Sequence, residues 1–316
     1  MTERDDYLWD PSLPPDPEVA RLEALLRPLA HVPRPVPATR RPPARWMALA
    51  AAASLLLALA FGAAWRLRDD PHAWRVAGTG GAPRMDDRRV RGQERFAPGK
   101  WLETDAGSRA RVELGGIGYA EVGPNTRLAA LRTRRGEHRM RLRRGTIEAR
   151  VLAPPRVFMV ETPAALAVDL GCAYTLSVAD DGTGEIHVTS GYVELVNGGR
   201  RSVVPAGSVA EMRPGRGPGT PYPAASPASL RGALAALDFG SFHPATLDAV
   251  LAASARADAA PMLWHVLQRV PEGERGRVYD RLAALAPAPT GASRAAVLRL
   301  DPSALALWQR ALGLLW

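Results

Sequence analysis

Six histidines and a single cysteine are the side chains of this 316-residue chain best suited to metal binding or nucleophilic chemistry. His31, His72, His138, His187, His243 and His265 are dispersed. None stands beside another His, or beside Cys172, at the short spacing a metal site requires. Gly78-Thr79-Gly80-Gly81 is glycine-rich, but no phosphate-loop lysine follows it, so it reads as a flexible linker. No Gly-x-Ser-x-Gly occurs, and Gly191-Tyr192-Val193 carries no nucleophile. Glu272, Glu274 and Asp280 stand among arginines at a helical spacing that suits surface ion pairs. These residues predict no catalytic centre, metal or cofactor. With one cysteine an intramolecular disulfide is impossible.

The elements that would position any site divide the chain. Residues 46–65, WMALAAAASLLLALAFGAAW, form an uncharged stretch with a tryptophan at each end. Twenty residues at a rise of ~1.5 Å span roughly the 30 Å of a bilayer's hydrocarbon core, and tryptophan prefers the headgroup level. A single transmembrane helix is predicted. A buried core helix and a cleaved secretory segment are the alternatives. The all-round apolar surface argues against the first, and the long preceding tail against the second. Arg34, Arg40, Arg41 and Arg45 flank one end, against Arg66, Arg68 and Arg75 at the other, a slight bias towards a cytoplasmic N-terminus. The net charge of +9 is almost entirely arginine, with Lys100 the sole lysine. These basic residues are scattered, so composition rather than direct nucleic-acid binding accounts for them.

Residues 1–45 are predicted to be a cytoplasmic tail with one short amphipathic helix. Asp16 can cap it, Pro17 suits its first turn and Pro28 marks its end or a kink. Val19, Leu22, Leu26 and Leu29 share one face. Such a helix is marginal alone, so its apolar stripe needs a cover: a protein partner, the membrane surface or a second copy. Tyr7, Leu8 and Trp9 add a second apolar cluster to the same contact. The proline- and arginine-rich stretch at 33–45 reads as an extended linker.

After Pro71 the pattern changes to short alternating runs between glycine turns, such as Arg109–Leu114, Arg139–Arg143 and Glu185–Val188. Period two with regular turns predicts an antiparallel all-β domain over residues 71–212. In Arg139-Met140-Arg141-Leu142-Arg143 the arginines fall on one face and the apolar pair on the other. Most of the basic run at 132–144 is therefore a solvated strand face; an anionic-lipid or nucleic-acid patch is the alternative.

The segment from about Pro98 to Met212 resembles the FecR domain of bacterial transmembrane anti-sigma regulators. An ordered series carries the resemblance: Leu102-Glu103-Thr104 with Ala110–Leu114, then Leu142–Ile147, Val160-Glu161-Thr162-Pro163, Gly171–Leu176, Val188–Val193 and Val204–Gly207. The matching positions include Gly145, Gly171, Cys172, Tyr174, Gly191 and Gly207. Gly145, Gly191 and Gly207 fall between strand runs, where positive φ suits glycine. Tyr174 and Leu176 alternate onto one face. Cys172, where the family usually has threonine, reads as a small buried hydrophobe, with a reactive thiol as the alternative.

The resemblance implies a periplasmic β domain and a cytoplasmic tail that binds an extracytoplasmic-function sigma factor. The candidate contact is Leu8, Trp9, Val19, Leu22, Leu26 and Leu29. Two departures stand out. The tail is shorter than a full anti-sigma domain, and something other than the C-terminal module of iron-signalling members follows the β domain. Residues 213–225 read as a Pro/Gly linker. Residues 226–316 read as a small all-α domain, its helices starting near Ser226-Pro227, His243-Pro244, Ala260-Pro261, Pro271 and Asp301-Pro302. Trp264, Trp308 and Trp316 suit its core, with binding anchors as the alternative.

The whole is predicted to be a single-pass inner-membrane protein, an anti-sigma-type regulator coupling a periplasmic signal to a sigma factor. A periplasmic protein partner and a homodimer belong to that expectation. A non-enzymatic envelope scaffold anchored by one helix is the alternative.

Overall fold

The computed structural model describes residues 14, 16–29, 53–58 and 73–314, in two compact units, Met1–Arg68 and Asp69–Trp316. In the first unit, helix α1 runs Pro17–Leu26 and ends in a single tight turn, Arg27–Leu29. Asp16 caps it by accepting from the Glu18 N–H at 2.9 Å, with Pro17 in the first turn. Residues 53–58 are helical and exposed. Among the described residues no helix is long and apolar enough to cross a membrane. The rest of the expected span, 46–52 and 59–65, lies outside the described residues, as do Leu8, Trp9 and Trp316.

The second unit is built on two sheets that share one strand. Numbered along the chain, one sheet runs β4 (Gln93–Phe96), β1 (Trp74–Gly80), β6 (Arg109–Glu113), β7 (Gly118–Val122), β9 (Glu137–Val151), β12 (Ala173–Val178), β13 (Gly184–Ser190) and β16 (Ser208–Arg213). The other runs β3 (Arg88–Arg89), β2 (Arg84–Met85), β5 (Trp101–Glu103), β8 (Arg127–Arg134), β9 again, β10 (Phe158–Glu161), β11 (Leu166–Asp169), β14 (Tyr192–Asn197) and β15 (Arg200–Pro205). The pairing is antiparallel except between β9 and β10. The first half of β9 pairs with β8 and β10, and the second half, from Gly145 onward, with β7 and β12. Alternation sends Trp74, Phe96, Leu102, Met140, Leu142, Ile147, Phe158, Leu176 and Ile186 from both sheets into one fully buried core. Arg139 and Arg141 point the other way and pair with Glu161 at 3.1 and 2.8 Å. Arg132 and Arg134 reach Glu137 at 2.8 and 2.9 Å, so much of the basic run is an ion-paired strand face.

Residues 213–225, expected to be a linker, are instead built into the fold. β17 (Gly217–Pro218) and β18 (Tyr222–Pro223) both pair with β16. Helices α2 (Ala228–Phe239), α3 (Pro244–Ala253), α4 (Ala260–Leu267), α5 (Arg275–Leu285), α6 (Arg294–Leu298) and α7 (Pro302–Ala311) follow. Their apolar faces bury Leu230, Leu234, Leu247, Val250, Leu263, Val266, Val278, Leu282 and Trp308. The same cluster takes in Val203, Val209 and Tyr222 from β15, β16 and β18. The helices therefore cover the outer face of this part of the sheet and do not stand apart from it. In β15 the neighbouring Val203 and Val204 are therefore both buried, Val204 in the core between the sheets and Val203 beneath the helices.

Candidate functional site

The predicted sigma-factor stripe is an uncovered surface within its own unit. Leu22, Leu26 and Leu29 are 58%, 59% and 79% exposed, and Leu25 beside them is also open. Val19 is half-buried. Helical spacing places Val19, Leu22 and Leu26 on one side of α1, and Leu29 extends that side through the terminal turn. The chemistry available here is apolar burial, edged by the carboxylates of Glu18 and Glu23.

The family-like residues of the β region occupy structural positions. Gly145 has φ +91°, and a Cβ there would lie 2.2 Å from the Thr126 Oγ1 and 2.4 Å from its Cα. No other residue type fits where β9 passes from one sheet to the other. Gly191, at φ +71°, turns β13 into β14 so closely that a Cβ would meet the Gly171 carbonyl oxygen at 2.3 Å and the Cys172 Cα at 3.1 Å. Gly171 and Gly207 also take positive φ. Cys172 and Tyr174 are buried. The Cys172 thiol donates to the Asp169 Oδ2 at 2.6 Å, and Asp169 Oδ1 accepts from the Gly171 N–H at 2.7 Å. Burial pushes the Asp169 carboxyl up to about 6, against the opposing effect of those hydrogen bonds. Burial first, and the neighbouring carboxylate second, push the Cys172 thiol far above its ordinary range. Its burial and its hydrogen bond to Asp169 make Cys172 a packed side chain held in the protonated form. The phenol of Tyr174 is raised by the same burial.

Two more buried carboxylates, besides Asp169, escaped the sequence reading. Asp238 on α2 accepts from Arg200 at 2.5 Å, Arg269 at 2.9 Å and the Thr220 N–H at 2.6 Å. Arg269 also donates to the Ser202 and Thr220 hydroxyls, each at 2.6 Å. This network ties α2 and the segment after α4 to the sheet. Nearby, His265 on α4 accepts the Val203 N–H at Nε2, 3.0 Å away, with Nδ1 2.8 Å from the Pro261 carbonyl. That pairing fixes the neutral ring with its proton on Nδ1. Burial, seconded by the Arg269 charge, lowers the His265 pKa to about 3. Glu194 on β14 is the second carboxylate, held by Arg156 at 3.1 Å and by the Arg201 Nε at 2.7 Å. The only sequence signal for either acid is its place in an apolar run, ALAALDFG or YVELV. Among the described residues, no three His, Cys, Asp or Glu side chains converge as metal ligands.

Comparison with known proteins gives one family. Residues 101–194 match the family model described as FecR protein. The match opens on β5 and closes inside β14, so β1–β4 and β15–β18 extend the same sheets beyond it. Two crystal structures of a candidate anti-sigma factor from Parabacteroides distasonis are similar at 16% identity and a TM-score of 0.33. Each alignment covers 37% of this chain and 56% of that one, so the chain spans just over half the length of these solved structures. No curated protein matches the chain. The ordered glycine and strand series and the family match fall on the same residues: over 101–194 this chain is similar to the FecR family.

Proposed function

We propose that this protein is a membrane-anchored, anti-sigma-type regulator. Its N-terminal tail binds a cytoplasmic sigma factor through α1, residues 46–65 cross the inner membrane once, and the chain from Pro71 onward lies in the periplasm. The FecR match carries this reading. The uncovered apolar stripe of α1 supports it, because an isolated ten-residue helix gains stability only by packing on something. The uncharged stretch at 46–65 and the arginine bias support the topology. Regulation follows from linkage: a periplasmic ligand or partner alters sigma binding only by favouring one state of the protein. A single helix transmits such a bias poorly alone, so dimerisation or regulated proteolysis is the route we assign to it. No catalytic step enters this reading.

Two measurements test it. Alkaline phosphatase fused after Trp316 should be active, and a cytoplasm-only reporter at the same place silent; the reverse pattern contradicts the topology. The intact protein, extracted in detergent, should co-purify with a sigma factor that is lost when residues 1–40 are removed. Co-purification with envelope proteins alone, unchanged by that deletion, would favour a scaffold.

A further inference from the structure

A cavity of about 370 Å³ lies between the outer face of β14 and β15 and the helices α4 and α7. Its volume falls in the range of small-molecule sites. One wall is apolar: Val203, Trp264, Leu300, Pro302, Leu305 and Ala306. The other is polar, with Arg156, Arg201 and Glu194 together. Glu194 is 2% exposed and already engaged by both guanidinium groups, whose own side chains are 55% and 62% exposed. The polar end thus carries one surplus positive charge with N–H donors open to solvent, while its carboxylate is shielded from any incoming cation. His265, neutral and occupied at both nitrogens, adds no charge.

Backbone strain gathers at the same place. Five non-glycine residues among those described take positive φ. Three are Asp86, Asp87 and Asn125, types that tolerate it. The other two are Arg156 at +69° and Leu300 at +57°, and both line this cavity, one at each wall. Leu300 takes its conformation in the left-handed cap that ends α6, and Arg156 in the turn closed by the Val157 N–H on the Pro154 carbonyl, so local hydrogen bonds fix both residues at the cavity rim. Trp264, on the apolar wall, buries its indole N–H with no acceptor among the described protein atoms.

We propose that this cavity binds a small carboxylic acid with an apolar body. The carboxylate lies against Arg156 and Arg201, where bidentate guanidinium geometry suits it. The apolar body fills the space beside Trp264, Leu300 and Leu305. This site is independent of the sigma-factor reading and holds whether or not α1 binds such a partner.

The test uses the full chain in lipid nanodiscs, titrated calorimetrically with butyrate, octanoate and phenylbutyrate and with their primary amides, against empty nanodiscs as reference. At least one acid should bind saturably, and its amide roughly tenfold more weakly. Arg201→Gln should weaken that acid by roughly tenfold or more, as should Ala306→Leu, which fills the cavity from the apolar side. Each variant is first checked for an unchanged thermal melt; if Arg201→Gln unfolds early, Arg156→Gln takes its place, and if Ala306→Leu does, Ala306→Val, each expected to weaken binding. No heat above the reference for any of the acids overturns the proposal. So does equal binding of acid and amide, or binding that Arg201→Gln and the cavity-filling variant leave unchanged.

Discussion

Gly145 lets one strand serve two sheets, and that role rests on a single missing Cβ. Its φ of +91° and the 2.4 Å approach to the Thr126 Cα leave no space for a side chain. Gly145→Ala should cost about 3 kcal/mol or more in chemical denaturation, the scale of a backbone clash in a core. Gly136 has φ +79° but nothing within 4 Å of its Cβ position, so Gly136→Ala should cost only about 1 kcal/mol. Equal losses would remove the steric argument. The turn glycines were legible in the sequence because they separate strand runs. The contact partners were not, since Thr126 lies in the turn before β8 and Gly145 within β9, far apart along the chain.

Two buried groups make opposite contributions to stability against pH. His265 has a folded pKa near 3 and an ordinary value of 6.5. Between those values the unfolded chain holds a proton that the native state lacks. Stability from this group is therefore present above about pH 6.5 and is lost as pH falls towards 3, at up to ~1.4 kcal/mol per unit. Asp169, raised from 3.8 to about 6, does the reverse: its native carboxyl keeps a proton the unfolded chain releases, so stability is lost as pH rises from about 4 to 6. Denaturation midpoints measured from pH 4 to 6 should rise more steeply with pH in Asp169→Asn than in the parent, and less steeply in His265→Gln. Unchanged slopes in both would contradict the assigned burial effects.

At the scale of elements, the joint between helices and sheet is carried by Asp238 and Arg269. Removing one partner of a buried ion pair leaves the other charge stranded, commonly a loss of about 3–5 kcal/mol. Asp238 keeps Arg200 when Arg269 is lost, so Arg269→Met should cost less than a fully stranded charge, about 2–3 kcal/mol, from the lost ion pair and the lost donors to the Ser202 and Thr220 hydroxyls. A loss below about 1 kcal/mol would show that apolar packing alone holds the joint. The strands at 109–113, 139–143 and 185–188 were readable because period two survives wherever one face is solvated. Residues 213–225 were misread because Gly and Pro content signals a flexible segment, while Gly217–Pro218 and Tyr222–Pro223 pair with β16 regardless. α6, five residues long, is too short to display a helical period. Most helices that open near a proline were located within a turn or so, since the ring pre-sets φ there.

For the whole molecule, the proposed function couples a periplasmic FecR-like domain to a short cytoplasmic apolar helix. The FecR-like segment is legible in sequence because its alternating strands and turn glycines recur in a fixed order along the chain. The coupling is not, because it depends on which state of the protein each partner prefers. The α1 stripe is the point at which the proposed function makes direct contact. Burying a leucine side chain is worth roughly 1.5–3 kcal/mol, so Leu22→Asp with Leu26→Asp should weaken sigma-factor binding by at least about tenfold. Arg21→Gln, off that stripe, should change it little. The decisive measurement is the affinity of the intact protein and of the double variant for the co-purified sigma factor, read beside transcription from the promoter it serves. The double aspartate variant alone should lose binding and alter transcription. A double variant that keeps both, or an intact protein that retains no sigma factor, would contradict it.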